Sequence, residues 1–352
     1  MLKKIFIFFW VMFTDLCRSF FFKNTKKLKN KKKLKIAVLK PYFYLDLYTN
    51  ISNNFVDIIN SSYYRLGPVG LFYNLKSDYY ITKTKINSEL NKRIKKRIKS
   101  KDHKKLIALQ KKNSINAKNI NYNDYDLIIS YEGAVTTDII KQNPKVKWAI
   151  ALEDHSHRDY KKFLFSKPKN YDLFLNLTQG FTPYSFFRKK HCIDFSYTFG
   201  DSNFLKKMNI KKTHKIDIVL EVQQPNYILS DSRMDEYKIQ KLDGNLKVAD
   251  YVKKLAGSKI FFCPIYTTPR WGNSLIEAAL CQNLLVGNRY GYWNSILIHK
   301  DLQCSSINEG EKIIKKLLSN KKEYNYYMKK QNETLNEINF NRPLRQIYNK
   351  II

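Results

Sequence analysis

The stretch KIFFCPIYTTPRWGNSLIEAALCQNLLVGNRYG, residues 259–291, carries the fold prediction. It begins with a run of apolar and aromatic residues that is typical of a buried strand, and a loop rich in Thr, Pro and Gly follows. A helical pattern then runs from Asn273 to Gln282, and a second apolar run, LLVG at 284–287, comes directly after it. A strand, a helix and a second strand in this order predict a βαβ unit of a parallel sheet.

The same alternation of short apolar runs and helical patterns extends along most of the chain, and a polar segment near residue 200 divides it into two series. We therefore expect an α/β fold with two Rossmann-like, doubly wound domains facing a central cleft. The expected N-terminal domain covers residues 35–200, with a basic helical insertion at about 85–120. The second domain covers 201–335, and a helix at 336–352 crosses back to the first domain.

Composition places the chain among globular proteins with a strongly basic surface. It has 352 residues, 43% of them hydrophobic, which is enough for the cores of two domains and too many for a disordered chain. Lys and Arg number 64 against 30 Asp and Glu, a formal net charge of +34. This charge favours acidic partners such as anionic lipid, nucleic acid or phosphorylated ligands, or it reflects a general excess of lysine without a function.

The cysteines and the strand-end loops exclude several classes of protein. The five cysteines are scattered without a CxxC pair, so we predict neither a disulfide framework nor a zinc knuckle, and a reducing compartment fits. No GxGxxG and no GxxxxGKS/T motif follows a predicted strand. The chain therefore lacks the fingerprints of nicotinamide-dependent dehydrogenases and of P-loop kinases.

The first residues of the chain, 1–34, have the pattern of a membrane-association segment. An apolar run at 5–13 is followed by the charges of Asp15 and Arg18, and a lysine-rich tract occupies 23–35. A helix lying in the membrane interface avoids burying those two charges, and the lysines are attracted to anionic lipid. We expect a cytoplasmic, peripheral membrane protein; a signal sequence or a single-span signal anchor is the alternative.

The loop and helix start within the opening stretch form a candidate anion site. Asn273 or Ser274 can cap the predicted helix, whose free amides and positive dipole end favour an anion, and Arg270 lies beside them. Glu277, one turn further, can accept hydrogen bonds from the vicinal hydroxyls of a ligand. A diphosphate and a ribose fit this pattern together. An ordinary crossover with a capped helix and a solvent-exposed Glu277 is the alternative.

Polar residues also follow two predicted strands of the first domain. Glu153, Asp154 and His155 come at the end of the apolar run WAIAL, where a carboxylate or an imidazole can deprotonate an acceptor hydroxyl or orient a donor. Tyr131 and Glu132 end another strand and are candidates to line the acceptor side of the cleft. A polar loop without a function is the alternative for the first group. We expect no metal site, because the histidine pair at 155 and 157 has no further ligands at suitable spacing.

The stretch 259–291 resembles the nucleotide-sugar signature of GT-B glycosyltransferases of the glycosyl transferases group 1 family. Trp271-Gly272 corresponds to the aromatic-Gly pair of that signature, and Glu277-Ala278 corresponds to its second Glu and the Ala after it. Pro269 stands at the position of the first Glu, which in this family contacts the donor sugar. The Asp154-His155 pair is similar to the His-Asp that follows the corresponding strand in many GT-B enzymes.

The resemblance implies a metal-independent glycosyltransferase with a nucleotide-sugar as co-substrate and no other cofactor. Its donor would be held by Arg270, Gly272, Asn273, Ser274, Glu277 and Arg289, and its acceptor would be a glycan or a lipid-linked molecule at an anionic membrane surface. Specific nucleic-acid binding is not expected. The alternative is a noncatalytic, degenerate GT-B protein that binds nucleic acid or another anionic polymer.

Overall fold

We analysed a computed structural model of the chain, which describes residues 33–40, 69–82, 116–131, 135–152, 170–176, 192–194, 198–220, 234–242, 248–264, 273–289 and 296–351. Nearly all of the predicted membrane segment and most of the predicted basic insertion lie outside these ranges. Within the described ranges no helix combines the length and the apolar character needed to cross a membrane.

The first domain is built on a sheet of six parallel strands, in the order β2-β1-β3-β4-β5-β6. Ile36 and Val38 of the first strand belong to one core cluster, whereas Ala37 and Leu39 belong to another. Alternate side chains therefore pack on opposite faces, and both faces are covered. The strands and helices of this domain are β1 Ile36–Lys40, α1 Val69–Leu75, β2 Asp78–Ile81, β3 Leu127–Tyr131, α2 Thr137–Gln142, β4 Lys147–Leu152, β5 Leu173–Asn176 and β6 Cys192–Asp194.

The second domain is built on a sheet of four parallel strands, in the order β10-β9-β7-β8. Its strands and the helices packed around them share a single large core cluster. The elements are α3 Phe204–Lys207, β7 Ile216–Leu220, β8 Ile239–Lys241, α4 Val248–Ala256, β9 Ser258–Cys263, α5 Asn273–Leu280, β10 Leu284–Gly287, α6 Ile307–Ser319 and α7 Lys321–Asn336.

Both sheets are wound in the same way, which confirms the prediction of two doubly wound domains. In each sheet the first strand lies between the second and the third, so the winding direction changes beside that first strand. Open α/β sheets bind ligands at this switch point, beyond the carboxyl ends of the strands. The ends of β1 and β3, and those of β7 and β9, are therefore the places to look for a site.

The chain passes between the two domains twice. The segment 198–203 leads from the first domain into the second, and a π-helical turn, Glu337–Asn341, leads from α7 into the helix α8, Arg342–Ile351. Ile347 of α8 is fully buried in a core cluster of the first sheet, together with side chains from β1 and β3. The helix α8 therefore completes the packing of the first domain.

Leu34, the last residue of the predicted membrane segment, also packs in the first domain. It is 6% exposed and belongs to the same core cluster as Ile36. The main-chain N–H of Lys35 donates a hydrogen bond to Oδ2 of Asp126 at 2.8 Å. The folded domain therefore includes Leu34.

A half-buried lysine joins the ends of two helices in the second domain. Nζ of Lys212 lies within hydrogen-bonding distance of four oxygens: the main-chain oxygens of Leu255 (3.3 Å), Ser258 and Cys281 (3.0 Å), and Oδ1 of Asn283 (3.2 Å). Burial lowers the pKa of Lys212 to about 7, because the ammonium loses its hydration. Two of the four oxygens lie at the carboxyl ends of α4 and α5, where the helix dipole favours a cation.

Ser306 caps the start of α6, and the side chain of Glu309 binds back to Ser305, the residue before the cap. Oγ of Ser306 accepts a hydrogen bond from the main-chain N–H of Glu309 at 3.2 Å. In return, Oε2 of Glu309 accepts from the main-chain N–H of Ser305 at 2.7 Å and from its hydroxyl at 2.8 Å. These bonds lower the pKa of Glu309, since they favour the charged carboxylate.

Candidate functional site

The helix α5 begins beyond the carboxyl end of β9, as a ligand-binding helix of this fold should. Asn273 and Ser274 are its first two residues and lie inside the first turn. That Asn273 or Ser274 caps this helix stays a prediction, because the residues that precede Asn273 lie outside the described ranges. Arg270 and Gly272 of the predicted donor site lie outside the described residues.

Glu277 is buried on the fifth position of α5. Its exposed fraction is 9%, and Oε1 accepts a hydrogen bond from Oγ1 of Thr198 at 3.3 Å. Glutamates are rarely buried to this degree unless they are paired, so its position requires polar partners. The alternative of a solvent-exposed Glu277 is therefore excluded.

Thr198 belongs to a segment that is held on several sides. Nδ2 of Asn339 donates to the main-chain oxygens of Thr198 and Gly200, both at 2.9 Å. From the first domain, Nδ2 of Asn74 donates to the main-chain oxygen of Phe199 at 3.0 Å. The segment next to Glu277 is consequently fixed by side chains on α1 and on the π-helical turn.

Arg289 lies at the same edge of the second sheet as the start of α5. It is exposed and comes two residues after β10. Nδ2 of the intervening Asn288 donates to the main-chain oxygen of Cys263 at 2.8 Å, which ties the ends of β10 and β9 together. The sequence prediction placed Arg289 among the donor-binding residues, and its position at the carboxyl edge is compatible with that role.

The switch point of the first sheet carries a tyrosine and a buried lysine. Tyr131 ends β3 and is almost wholly buried. Lys40 ends the neighbouring strand β1, is 3% exposed, and places Nζ 5.6 Å from the centre of the Tyr131 ring. The sequence predicts Tyr131 as an acceptor-side residue but gives no sign that Lys40 is buried, because a lysine at the end of an apolar strand normally marks the surface.

Four predicted residues of the first domain lie outside the described residues: Glu132, Glu153, Asp154 and His155. The strands that precede them are described. Tyr131 of β3 is paired in register with Ala151 of β4, and β4 ends at Leu152. Both strands therefore end at the same edge of the sheet, and the chain leaves that edge towards these residues.

The described residues contain no group of three or more His, Cys, Asp and Glu side chains that could hold a metal ion. The sequence matches no protein-family model, and no curated protein matches it.

Solved structures match most of the chain at low sequence identity. One is an alpha-glucosyltransferase in complex with UDP and a 13-mer DNA containing a central A:G mismatch, at 11% identity over 90% of this chain and 99% of that chain, with a TM-score of 0.51. A glycosyltransferase from Rickettsia africae ESF-5 matches at 11% identity over 91% and 99% of the two chains, with a TM-score of 0.48. Sucrose-phosphate synthase from Thermosynechococcus elongatus matches at 11% identity over 90% and 97%, with a TM-score of 0.44.

The similarity to the alpha-glucosyltransferase confirms the fold that the sequence resemblance implied. The chain has the GT-B fold, with two Rossmann-like domains facing a central cleft.

Proposed function

We propose that this protein is a glycosyltransferase that transfers a sugar from a nucleotide-sugar donor to a glycan or lipid-linked acceptor. The observation that carries the proposal is the buried carboxylate of Glu277, on the helix that follows β9 at the switch point of the second sheet. The GT-B fold adds support, since structures with this fold have been solved with UDP bound.

In this proposal the second domain binds the nucleotide part of the donor. The diphosphate lies at the start of α5, where the helix dipole and the amides of Gly272, Asn273 and Ser274 attract negative charge. Arg270 and Arg289 neutralise the phosphate oxygens. Glu277 then accepts hydrogen bonds from the ribose hydroxyls, about one turn along the helix.

The first domain supplies the acceptor and the base. Asp154 or His155 takes the proton from an acceptor hydroxyl, whose oxygen forms the new bond to the anomeric carbon of the sugar. The bond from that carbon to the phosphate oxygen breaks, and the nucleoside diphosphate leaves with the electron pair. The positive charge at the start of α5 stabilises the leaving group, so the reaction proceeds without a metal. Glu132 and Glu153 line the acceptor side, beyond the buried Tyr131.

Donor binding by Glu277 is tested by calorimetry with UDP, GDP, ADP, CDP and TDP. We expect one of them to bind, and Glu277→Ala to weaken that binding by about 1–3 kcal/mol, because the ribose hydroxyls lose their acceptor. Glu333→Ala is the matched control, since Glu333 lies on the exposed face of α7 with a surface ion pair to Lys330. Unchanged affinity in Glu277→Ala would contradict the assigned role.

Transfer itself is tested by incubating the protein with the matching nucleotide-sugars and membrane extracts that hold glycan and lipid acceptors. Release of the nucleoside diphosphate together with labelled product supports the proposal. Tight, salt-sensitive binding of DNA or RNA without any transfer would instead favour the noncatalytic alternative.

We also propose that the reaction takes place at a membrane surface. Support comes from the apolar run at 5–13 and the lysine tract at 23–35, a pairing that suits an anionic bilayer better than an already basic protein surface.

A further inference from the structure

The segment 198–203, which links the two domains, lies beside the carboxylate of Glu277, the group that the proposed function has bind the ribose. Thr198 of this segment is buried, and its Oγ1 donates a hydrogen bond to Oε1 of Glu277 at 3.3 Å. Hydrogen bonds at unliganded active sites are often long and shorten when the ligand arrives. The contact therefore joins a residue between the domains directly to a candidate ligand-binding group.

Thr198 is in turn held by the second place where the chain passes between the domains. Asn339 lies in the π-helical turn, is fully buried, and donates from Nδ2 to the main-chain oxygens of Thr198 and Gly200. Turns of this kind are uncommon inside helices and occur frequently at functional sites. The side-chain amide of Asn339 thus ties the two connections between the domains to each other. It binds the main chain of Thr198, the residue whose hydroxyl contacts Glu277.

We propose that Thr198 is a positioning residue for Glu277 and that Asn339 positions Thr198. The Thr198 hydroxyl fixes the carboxylate in one orientation, so that Glu277 meets the ribose without first having to be ordered. The strength of ribose binding then depends on the arrangement of both connections between the domains. The inference rests on the proposed function, because it takes Glu277 as the group that binds ribose.

Two substitutions of Thr198 distinguish the effect of its hydroxyl from the effect of its side-chain shape. Thr198→Val has nearly the same volume but donates no hydrogen bond, whereas Thr198→Ser keeps the donor. Binding is measured by calorimetry with the ribonucleoside diphosphate that the wild-type protein prefers among UDP, GDP, ADP, CDP and TDP, and with its 2′,3′-dideoxy form. The dideoxy form lacks the two hydroxyls that Glu277 is proposed to accept from.

We expect Thr198→Val to weaken binding of the ribonucleotide about three- to tenfold, and Thr198→Ser to restore most of the affinity. For the dideoxynucleotide, wild type and Thr198→Val should bind equally, because no ribose hydroxyl depends on the orientation of the carboxylate. A merely structural role of Thr198 would weaken both ligands to the same extent.

Three results would overturn the inference. Equal weakening of both ligands, or no weakening of either, contradicts the positioning role while leaving the proposed function intact. If the wild-type protein binds none of the five nucleotides, the proposed function fails and this inference fails with it. If Thr198→Val does not fold, Asn339→Leu is measured instead, and it too must weaken the ribonucleotide selectively.

Discussion

Gly70 of α1 packs directly against the main-chain oxygen of Phe199, so closely that a Cβ atom at Gly70 would overlap that oxygen. At this contact the backbone of α1 meets the backbone of the linking segment, residues 198–203, directly. The contact is reinforced by Asn74, one turn further along the helix, which donates to the same oxygen. Glycine at position 70 is therefore required by close approach.

Gly70→Ala is expected to lower the free energy of unfolding by about 1–3 kcal/mol, because the added methyl group forces α1 and the linking segment apart. Urea denaturation followed by circular dichroism measures the loss. Gly200→Ala is the matched control, since a Cβ there would meet the side chain of Leu280 at an ordinary 3.5 Å. Equal stability of the two variants would contradict the prediction.

Lys212→Met should destabilise the second domain by about 1–3 kcal/mol, because the carbonyl oxygens around Nζ lose their donor while staying buried. The measurement is urea denaturation at pH 6, below the pKa of about 7, where the amine carries all three of its N–H groups. The neighbouring Lys211 is exposed, so Lys211→Met makes the same chemical change without removing the contacts to the four oxygens around Lys212. A similar urea midpoint for both variants would show that the contacts of Lys212 with these oxygens add nothing to stability.

We expect the carboxylate of Glu309 to contribute less to the stability of the protein in acid. Its pKa is lowered in the folded protein by the hydrogen bonds from Ser305, so the charged form stabilises α6 above the ordinary pKa of a glutamate. This contribution disappears as the pH falls through the lowered pKa. Glu309→Gln keeps an acceptor oxygen but cannot titrate.

We therefore expect the difference in stability between wild type and Glu309→Gln to be larger at pH 7 than at an acid pH below the lowered pKa of Glu309, where the carboxylate of the wild type is protonated. Denaturation curves at both pH values give this difference. Glu333→Gln, on the exposed face of α7, controls for the general loss of a surface charge. A difference that is the same at both pH values would mean that the Ser305 contacts do not depend on the charge.

A variant lacking residues 1–32 should fold, bind the nucleotide and lose membrane association. The deletion stops at residue 32 because Leu34 packs in the first core. In flotation experiments the full chain should rise with anionic vesicles and dissociate as salt increases, whereas the truncated form stays at the bottom. Resistance of the full chain to both high salt and carbonate would show that the segment spans the membrane.

The regular strands were predictable because their composition is decisive. Both faces of β1, β3 and β10 are buried. Apart from Lys40 and Ser130, these strands consist of apolar or aromatic residues and one glycine, and such short apolar runs favour buried strands over helices. In contrast, β6 and β8 are too short to be predicted from their sequence. Each has three residues, and β8, with the sequence IQK, is partly exposed, so no periodic pattern can form.

The chemistry of the site was less predictable than the strands. Glu277 was identified from its place in a motif, but its partner Thr198 lies 79 residues away in the sequence, and no local pattern joins the two. The burial of Lys40 also depends on a neighbouring strand, β3, which places Tyr131 beside it. Contacts of this kind arise when sheets assemble, and the sequence near each residue does not contain them.

The burial of Ile347 in the first core also bears on how the protein is made. Domains synthesised early generally fold before later ones leave the ribosome. Here, the first core needs a side chain from α8, which is translated after the entire second sheet. The first core can therefore be completed only after the second sheet has been synthesised.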